Sequence, residues 1–300
     1  MPGDKISIVI PTYNRLDKLK RLLDSIMQSD QKGIELEVIV VDDAGPNDTE
    51  KELSKKYPNV KVIKHETEKY LAASRNTGIK AAKGDYIFCV DDDNVLDEEC
   101  IVNLVKGFGI SKKVGMTVPY MLYLSMPDTI WSAGAKISKR LMTPLCKSNE
   151  KYTPEPSFII CDTAPNAFMF KKEVIKKVGL FDEIAFPMHH LEADYGLRLR
   201  NAKYMSVAIA NAITYHDIAF EKRFDLEFRH RKRPYNMMFG EVMLRRKWEE
   251  NAFWRYAMPM LILGATCAMI LRSSHVYGSK PDYIMQAFRG YIDAWTRRIK

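Results

Sequence analysis

The sequence predicts an α/β fold with a mostly parallel central sheet flanked by helices. Over the first 90 residues, short β-branched runs alternate with helical patterns, which is typical of strands and helices that alternate along the chain. The runs are apolar throughout, as expected for strands that helices cover on both faces. In chain order the predicted elements are strand Ile6–Ile10, helix Leu16–Met27, strand Leu36–Val41, helix Thr49–Tyr57, strand Val60–Ile63, helix Leu71–Ala82 and strand Tyr86–Val90.

The pattern after residue 105 is less regular, and repeated prolines indicate loops and short strands. A helix is predicted over Glu192–Asn201, and short strands over Val207–Ala210 and Ile213–Tyr215. The composition changes again near residue 220, where basic helices and one long apolar stretch begin. The chain therefore divides into residues 1–105, 106–220 and 221–300, of which the first two are halves of one domain.

Composition indicates a folded protein, because 46% of the 300 residues are hydrophobic and 28% are charged. The five cysteines are odd in number and show no CxxC spacing, which argues against a disulfide framework and a zinc site. The first apolar run, Ile6–Ile10, is too short for the core of a signal peptide. We therefore expect a cytoplasmic protein.

The net charge of +8 is concentrated near the C-terminus. Residues 221–300 hold 16 Lys and Arg against 8 Asp and Glu, whereas the first 220 residues hold 30 of each class. A basic region of this kind attracts polyanions, so an anionic membrane surface and nucleic acid are both candidate partners. Nucleic acid is disfavoured, because the acidic clusters described next repel phosphate unless a metal ion intervenes.

The segments that follow the four predicted strands carry the chemistry expected of a ligand site, because ligands bind beyond the carboxyl ends of parallel strands. Two of the four are carboxylate clusters, and the segment after the first strand lacks the GxGxxG of dinucleotide-binding folds and the pattern of a P-loop. The four segments are Pro11 to Arg15, Asp42 to Gly45, His65 to Glu68, and Asp91 to Asn94.

The acidic triplet Asp91-Asp92-Asp93 ends a predicted buried strand. Three like charges repel one another where solvent screening is incomplete, and a cation relieves this repulsion. Oxygen ligands without a nearby cysteine favour Mg²⁺ or Mn²⁺. The residues alone leave a second interpretation open, a solvated turn followed by a helix cap.

Several blocks in the same order resemble glycosyltransferase family 2, a family of inverting enzymes with a nucleotide-sugar-binding fold and a DxD motif. The resemblance covers roughly residues 5–220 and implies a donor-binding half before residue 106 and an acceptor-binding half after it. The matching blocks are Val9-Ile10-Pro11-Thr12-Tyr13-Asn14-Arg15, Val40-Val41-Asp42-Asp43, Ser74-Arg75-Asn76-Thr77-Gly78, Lys83-Gly84-Asp85-Tyr86, the Asp triplet and Gly179-Leu180-Phe181-Asp182-Glu183.

The resemblance implies specific roles for these residues. Asp93 is the implied metal ligand on the diphosphate, with Asp92 as an alternative ligand and Asp91 as both a second ligand and the ribose contact. For Arg75, a role as an exposed helix residue remains equally open. The implied nucleotide-sugar-binding residues are Pro11, Thr12, Tyr13, Arg15, Asp43, Arg75, Asp91 and Asp92, of which the first three and Asp43 contact the base.

Transfer also requires a base that takes the proton of the acceptor hydroxyl. Alignment with the family's acidic pair and following Asp-Leu-x-Leu-Arg helix places Glu192 at this position. Asp194 is the alternative base, although an i,i+4 ion pair with Arg198 would equally explain it. The resemblance also makes His216 a candidate metal ligand, while His189 and His190 are candidates for the acceptor pocket.

The C-terminal region contains an uncharged run from Tyr256 to Leu271 and a downstream helical stripe. The run could span a membrane, lie in its interface or pack as a buried helix, and Pro259 is expected to bend or shorten it. The basic segment Arg229–Arg233 would add electrostatic attraction to lipid. The stripe comprises Tyr283, Ile284, Phe288, Tyr291, Ile292, Trp295 and Ile299.

Together these patterns predict an inverting, metal-dependent glycosyltransferase that is peripheral on the cytoplasmic face of a membrane. The expected donor is a UDP-, GDP- or dTDP-sugar, and the expected acceptor is a hydroxyl of a glycan or a polyprenyl-linked molecule. Homo-oligomerisation is possible. The alternatives are a nucleotidyltransferase that forms nucleotide-sugars, which would need a Gly-rich basic loop after the first strand, and a non-enzymatic polyanion-binding protein.

Overall fold

The computed structural model describes residues 3–31, 33–138, 144–153, 157–218, 233–272 and 279–297. The strands are β1 (Asp4–Thr12), β2 (Ile34–Asp42), β3 (Lys61–Lys64), β4 (Tyr86–Val90), β5 (Asn94–Leu96), β6 (Val114–Tyr123), β7 (Met126–Ser132), β8 (Ala135–Ile137), β9 (Pro144–Cys146), β10 (Phe158–Cys161), β11 (Ala167–Lys171) and β12 (Met205–His216). The helices are α1 (Leu16–Gln28), α2 (Thr49–Ser54), α3 (Tyr70–Ala81), α4 (Cys100–Gly107), α5 (Ile175–Val178), α6 (Leu191–Asn201), α7 (Arg233–Trp248), α8 (Ala252–Arg272) and α9 (Lys280–Thr296).

One mixed sheet organises the molecule, in the order β10-β12-β6-β11-β4-β1-β2-β3. Strands β3, β2, β1 and β4 are parallel, as are β6 and β12, whereas β11 runs antiparallel between β4 and β6. The predicted α/β class is therefore confirmed. Because β1, β2 and β4 are parallel, the residues that follow them meet at one edge of the sheet, which we call the carboxyl edge.

Helix α1 shows why the N-terminal half folds in this way. Its buried residues Leu19, Leu22, Leu23 and Ile26 recur at helical spacing and form one apolar stripe. This stripe belongs to the same hydrophobic core as the apolar residues of β1 and β2. Burial of apolar surface on both faces of the sheet thus fixes the position of the carboxyl edge.

Helix α3 lies unusually close to β1, because glycine replaces a side chain at the contact. A Cβ atom on Gly78 would overlap the side chain of Val9. A second close approach occurs at Gly84, where a Cβ atom would lie 2.6 Å from the backbone nitrogen of Ser7. These contacts hold α3 and the start of β4 against β1, and they bring Arg75 of α3 to the carboxyl edge.

Helix α2 and strand β12 differ from their predictions. Helix α2 ends at Ser54 rather than Tyr57, because Pro58 disfavours helical backbone at the residue before it. The two short strands predicted over 207–215 form the single strand β12, with a register shift between Ile209 and Ile213. Pairing with β6 on both sides of this irregularity keeps the strand continuous, and it delivers His216 to the carboxyl edge.

Helix α7 shares the core of the sheet rather than forming part of a separate layer. Its residues Phe239, Val242, Met243 and Leu244 are buried in the same apolar cluster as the strands. Helices α8 and α9 pack on α7. Helices α8 and α9 are therefore joined to the sheet through α7, while most of the basic segment at 229–233 lies outside the described residues.

Helix α8 extends beyond the uncharged run at both ends. It has 21 residues and continues on both sides of Pro259. The expectation that this proline shortens it is wrong. Only Pro259, Leu263, Thr266 and Ile270 are buried, and they form one stripe against the neighbouring helices. Among the described helices, α8 is long and apolar enough to cross a membrane by length and composition.

The apolar residues predicted as one stripe on α9 are divided between two faces. Tyr283 is buried against Ile270 of α8, and the Trp295 ring stacks on Tyr256 with ring centroids 5.0 Å apart. Phe288 and Ile292 are 44% and 55% exposed. The prediction of a single membrane-facing stripe is therefore wrong, because some of its residues pack against α7 and α8. Ile299 lies outside the described residues.

Two glycines provide a matched test of how α9 packs. A Cβ atom on Gly290 of α9 would overlap the carbonyl of Tyr235 of α7, whereas nothing lies within 4 Å of the same position on Gly264 of α8. Gly290→Ala should lower the free energy of unfolding by about 1–3 kcal/mol through overpacking. Gly264→Ala should raise it by up to about 1 kcal/mol through helix propensity.

Urea unfolding followed by far-ultraviolet circular dichroism measures both effects on one scale. Equal stability of the two variants would contradict the close packing of α9 on α7.

Candidate active site

The acidic triplet follows β4 at the carboxyl edge, where its three carboxylates face different partners. Asp92 is fully buried and accepts a hydrogen bond of 2.7 Å from Thr12 Oγ1 at the end of β1. The Arg15 guanidinium lies 2.7 Å from Asp92 and 2.9 Å from Asp93. Burial raises the pKa of Asp92 to about 7, and Arg15 only partly opposes this rise.

Asp93 lies beside His216, which β12 brings to the same edge by pairing with β5. The distance from Asp93 Oδ1 to His216 Nε2 is 3.6 Å, and Asn166 Nδ2 lies 2.9 Å from the same nitrogen. Burial alone would raise the pKa of Asp93, but His216, Arg15 and Lys18 together hold it well below its usual range. Of the three carboxylates in the triplet, Asp93 is the one whose pKa lies below its usual range.

The donor atoms at Asp93 and His216 fit a cation that is shared with a substrate. In the described part of the chain, no group of three or more His, Cys, Asp or Glu side chains could hold a metal ion alone. Mg²⁺ usually takes one or two protein carboxylates and completes its shell with phosphate and water oxygens. Asp93 Oδ1 is buried without a hydrogen-bond partner among the described residues, whereas His216 Nε2, the ring nitrogen nearest to it, has Asn166 Nδ2 at 2.9 Å.

Arg75 connects the triplet to the candidate base. Its side chain is fully buried and donates hydrogen bonds of 2.7 Å to Asp91 Oδ1 and 2.6 Å to Glu192 Oε1. The guanidinium also lies over the rings of Phe168 and Phe181, 5.2 and 5.8 Å from their centroids. The alternative of an exposed helix residue is therefore wrong, because packing of α3 on β1 places Arg75 inside the protein.

The charges around Arg75 compensate one another. Burial disfavours the charged guanidinium, yet Asp91 and Glu192 raise the pKa of Arg75 above its usual value. Burial raises the pKa of Asp91, and Arg75 opposes that rise. The buried guanidinium of Arg75 thus holds the carboxylates of Asp91 and of Glu192, the candidate base, at fixed positions.

The two candidate bases lie in contrasting surroundings on α6. Glu192 is 19% exposed, and Arg75 is its hydrogen-bond donor among the described residues. Asp194 is fully buried and contacts Arg198 at 2.8 Å, which confirms the predicted i,i+4 ion pair. Asp194 also accepts from Trp248 Nε1 at 2.9 Å and lies 2.9 Å from Lys247 Nζ, so its carboxylate joins α6 to α7.

Asp43, at the end of β2, is enclosed by protein donors. It accepts hydrogen bonds from the backbone nitrogens of Lys69 and Tyr70 and lies 2.7 Å from His65 Nδ1. A nucleotide base that binds Asp43 as predicted would therefore share the carboxylate oxygens of Asp43 with these protein donors. Of the other residues predicted to line the base, Pro11 and Thr12 are buried in β1, whereas Tyr13 is 39% exposed.

Sequence reasoning missed two groups at this edge. Asn166, with a positive φ of 59°, contacts His216, and its carbonyl accepts from the Asp91 backbone nitrogen. Asp217 contacts Lys18 at 3.1 Å and Arg21 at 2.6 Å, and its backbone nitrogen donates to Asp93. The position of Asp217 beside His216 was a usable signal, whereas nothing in a single sequence singles out Asn166.

His189 and His190 do not join the carboxylate cluster. They line a cavity of about 310 Å³ between the start of α6 and the helices α7 and α8. His190 begins α6 with a positive φ of 64°, and its Nε2 lies 3.4 Å from Glu241 of α7. The cavity therefore lies on the α7 side of α6.

This mixed sheet, with carboxylates gathered at its carboxyl edge, defines the GT-A-like class of α/β folds. The model of the family described as "Glycosyl transferase family 2" matches residues 7–179, which is more than half of the chain. The chain belongs to glycosyltransferase family 2. The expected family membership is thereby confirmed.

A curated relative and two solved structures are similar to the chain. The dolichol-phosphate mannosyltransferase of Pyrococcus furiosus is 30% identical over 59% of this chain, and the chain spans about half of it, 49%. The fold is similar to GalNAc-T7 solved with UDP, GalNAc and Mn²⁺, with a TM-score of 0.60 and 17% identity over 72% of this chain and 44% of that chain.

It is also similar to the mannosyltransferase PcManGT of Pyrobaculum calidifontis, solved with GDP-Man and Mn²⁺. The TM-score is 0.56 at 15% identity, covering 98% of this chain and 86% of that chain. At these identities the structural likeness concerns the fold.

Removing the cation at position 75 tests the charge arrangement. Arg75→Met leaves Asp91 and Glu192 without their buried partner, which should lower the free energy of unfolding by about 3–5 kcal/mol. Arg200→Met is the matched control, because Arg200 forms a half-exposed pair with Asp162, and it should cost at most about 1 kcal/mol. Adding Glu192→Gln to Arg75→Met should recover part of the loss.

Chemical denaturation of the three variants measures these differences. A loss for Arg75→Met that does not exceed that of Arg200→Met would show that the bridge contributes little.

Proposed function

We propose that the chain is an inverting, metal-dependent glycosyltransferase that moves a sugar from a nucleotide-sugar to a hydroxyl of a glycan or lipid-linked acceptor. The observation that carries this proposal is the bridge through Arg75, which ties Asp91 beside the proposed diphosphate site to Glu192 on α6. A displacement reaction requires the nucleotide-sugar and the base to be held in a fixed relative position. Arg75 supports this requirement because it binds both Asp91 and Glu192. The names of the similar proteins support sugar transfer and nucleotide-sugar donors.

In the proposed reaction, the acceptor oxygen attacks the anomeric carbon from the face opposite the leaving group. The new carbon–oxygen bond forms as the bond from the anomeric carbon to the diphosphate oxygen breaks. Glu192 takes the proton of the acceptor hydroxyl, and the nucleoside diphosphate leaves with the bonding electrons. The configuration at the anomeric carbon is thereby inverted.

Asp93 and His216 are the residues proposed to hold a divalent cation. When bound, Mg²⁺ or Mn²⁺ would offset the charge of the departing diphosphate. Arg15 reaches the same side through its contacts with Asp92 and Asp93, and its side chain is 45% exposed. The guanidinium of Arg15 is therefore available to contact phosphate oxygens of the donor.

We further propose that α8 and α9 attach the enzyme to the cytoplasmic face of an anionic membrane. Arg255, Arg272 and Arg289 flank or interrupt an exposed apolar surface on these two helices. That surface comprises Phe253, Tyr256, Met260, Leu261, Leu271, Met285, Phe288 and Ile292.

An interfacial position is favoured over a spanning one. Helix α8 packs on α7, which carries the buried ion pair Glu241–Arg245 and shares the core of the sheet. A spanning α8 would bring these charged neighbours towards the hydrocarbon, where ionised groups are strongly disfavoured.

The two candidate bases are separated by matched variants. Glu192→Gln should lower kcat by about 10²–10⁴-fold, because the amide cannot accept the acceptor proton. Asp194→Asn should lower the free energy of unfolding by about 1–3 kcal/mol, because it weakens the contacts with Lys247, Trp248 and Arg198. Steady-state kinetics and urea unfolding of both variants measure the difference. A larger loss of kcat in a folded Asp194→Asn protein would assign the base to Asp194.

Metal dependence is tested by ligand-induced stabilisation. UDP, GDP and dTDP are titrated with and without Mn²⁺ in thermal unfolding, and the matching nucleotide should stabilise by about 2.7 kcal/mol at 100 times its Kd. Asp93→Ala should lose the Mn²⁺-dependent part of this effect. The exposed Asp17 provides the control variant Asp17→Ala, which should keep it. An unchanged Mn²⁺ effect in Asp93→Ala would remove the metal assignment.

Membrane attachment is tested by flotation of the full chain with vesicles that contain or lack anionic lipid. The double variant Met260→Glu and Leu261→Glu should bind at least about tenfold more weakly, because burying one such side chain contributes about 1.5–3 kcal/mol. Ile184→Glu is the control, since Ile184 is 52% exposed outside these helices. Resistance of the wild-type protein to alkaline extraction would instead favour a spanning α8.

A further inference from the structure

The carboxylate of Asp43 carries hydrogen bonds from three protein donors, and they are divided unequally between its two oxygens. Oδ1 accepts from the backbone nitrogen of Lys69 at 2.9 Å and lies 2.7 Å from Nδ1 of His65, while Oδ2 accepts from the backbone nitrogen of Tyr70 at 2.7 Å. The two oxygens of a carboxylate offer about four lone pairs in total. Among the described residues, both lone pairs of Oδ1 are therefore in use, and Oδ2 keeps one lone pair.

The imidazole of His65 is held at both of its nitrogens. A carboxylate has no hydrogen to donate, so His65 Nδ1 carries the hydrogen of the contact with Asp43. The other ring nitrogen, Nε2, lies 2.9 Å from Oγ1 of Thr77 on α3, and His65 is only 7% exposed. The backbone nitrogen of His65 also donates to the carbonyl of Asp42. These contacts hold the ring beside Asp43, so Oδ1 stays occupied.

The turn before α3 fixes the direction of the Asp43 carboxylate. Tyr70 has a φ of 69°, in the left-handed region that bulky L-residues rarely adopt. The hydrogen bond from its backbone nitrogen to Asp43 Oδ2 stabilises this turn. The backbone nitrogen of Asp43 in turn donates to the carbonyl of Thr12 at 2.9 Å. Rotation of the carboxylate would break its contacts with His65, Lys69 and Tyr70 together, so the remaining lone pair of Oδ2 is the one that a ligand meets.

Nucleotide bases differ in how many adjacent donors they bring to such a carboxylate. Uracil and thymine each present one ring N–H between two carbonyl groups. Guanine presents a ring N–H beside an amino group, and this pair of donors binds a carboxylate best when each oxygen has a free lone pair. A donor that is buried against an occupied oxygen loses its hydrogen bond with water and gains none in return, which weakens binding.

We infer that His65 determines the base specificity of the donor site. Because His65 occupies Oδ1, Asp43 can accept one further hydrogen bond, which suits the single ring N–H of uracil or thymine and leaves one N–H group of guanine unpaired. His65 acts through Asp43 and is therefore a positioning residue. The inference rests on the proposed function and on the predicted contact of Asp43 with the base, and it narrows the three expected donor bases to two.

Calorimetric titration of the full chain with nucleoside diphosphates in the presence of Mn²⁺ tests the inference. UDP or dTDP should bind at least about tenfold more tightly than GDP, because one buried donor of guanine stays unpaired. Inosine diphosphate separates the number of donors from the size of the base, since its purine lacks the amino group of guanine. It should also bind at least about tenfold more tightly than GDP.

The outcomes of these titrations separate the inference from the proposed function. Binding of GDP that is as tight as that of UDP and dTDP would overturn the inference alone. Equal affinities of inosine diphosphate and GDP would also overturn it, because the size of the base would then explain a preference for pyrimidines. Absence of binding by every nucleotide would overturn the proposed function, and the inference with it.

Variants at position 65 locate the effect. His65→Leu removes the Nδ1 donor and frees a lone pair of Asp43 Oδ1, so the preference for inosine diphosphate over GDP should fall at least about tenfold. His65→Asn keeps an N–H donor near the position of Nδ1 and should retain most of the preference. Thr49→Val is the matched control, because Thr49 donates to the neighbouring carboxylate of Asp42 at 2.7 Å, and it should leave the preference unchanged.

The ratio of two affinities measured on one protein is insensitive to a general loss of binding, so partial destabilisation does not imitate the expected result. His65→Ala, which removes the same donor as His65→Leu, provides a second measurement of this ratio. A preference that both variants leave unchanged, or that Thr49→Val lowers to the same extent, would overturn the role of His65.

Discussion

The buried guanidinium of Arg75 is the interaction on which the active-site edge depends. A fully buried cation is strongly disfavoured unless carboxylates compensate it, and here Asp91 and Glu192 do so from two different parts of the chain. The rings of Phe168 and Phe181 complete its surroundings. Helix α3, the end of β4 and helix α6 therefore have one relative arrangement in which no charge is left unpaired. The close contact of Gly78 with Val9 sets that arrangement from the side of β1.

The remaining carboxylates follow the same rule with different cations. Arg15 compensates Asp92 and Asp93, and of these two carboxylates Asp93 is the one that lies beside His216. Asp92 is enclosed by protein and carries a raised pKa, whereas the pKa of Asp93 lies well below its usual range; each keeps one buried oxygen without a hydrogen-bond partner among the described residues. Three adjacent residues of one type thus acquire different chemistry because each meets a different set of neighbours. This difference supports Asp93 as the proposed metal ligand.

The sequence predicted the parts of this picture that local patterns determine. Apolar runs and helical spacing predicted β1 to β4 and α1 to α3, and the carboxyl-edge rule brought the acidic triplet to the site. Burial was less predictable, because it depends on packing between distant segments. From the sequence, Arg75 is interpreted equally well as a surface residue, and Tyr283 and the exposed Phe288 were assigned to one stripe. Asn166 carries no pattern at all, since only pairing of β11 with β4 brings its loop beside His216.

The contacts of Asp194 have a consequence for synthesis on the ribosome. Its partners Lys247 and Trp248 lie 53 and 54 residues downstream. At about 5–20 residues per second, roughly 3–11 s pass before the first of them is made. During that interval Asp194 has its partner Arg198 but not its partners on α7. The order of translation therefore delays completion of the Asp194 contacts until the helices that carry the exposed apolar residues begin to emerge.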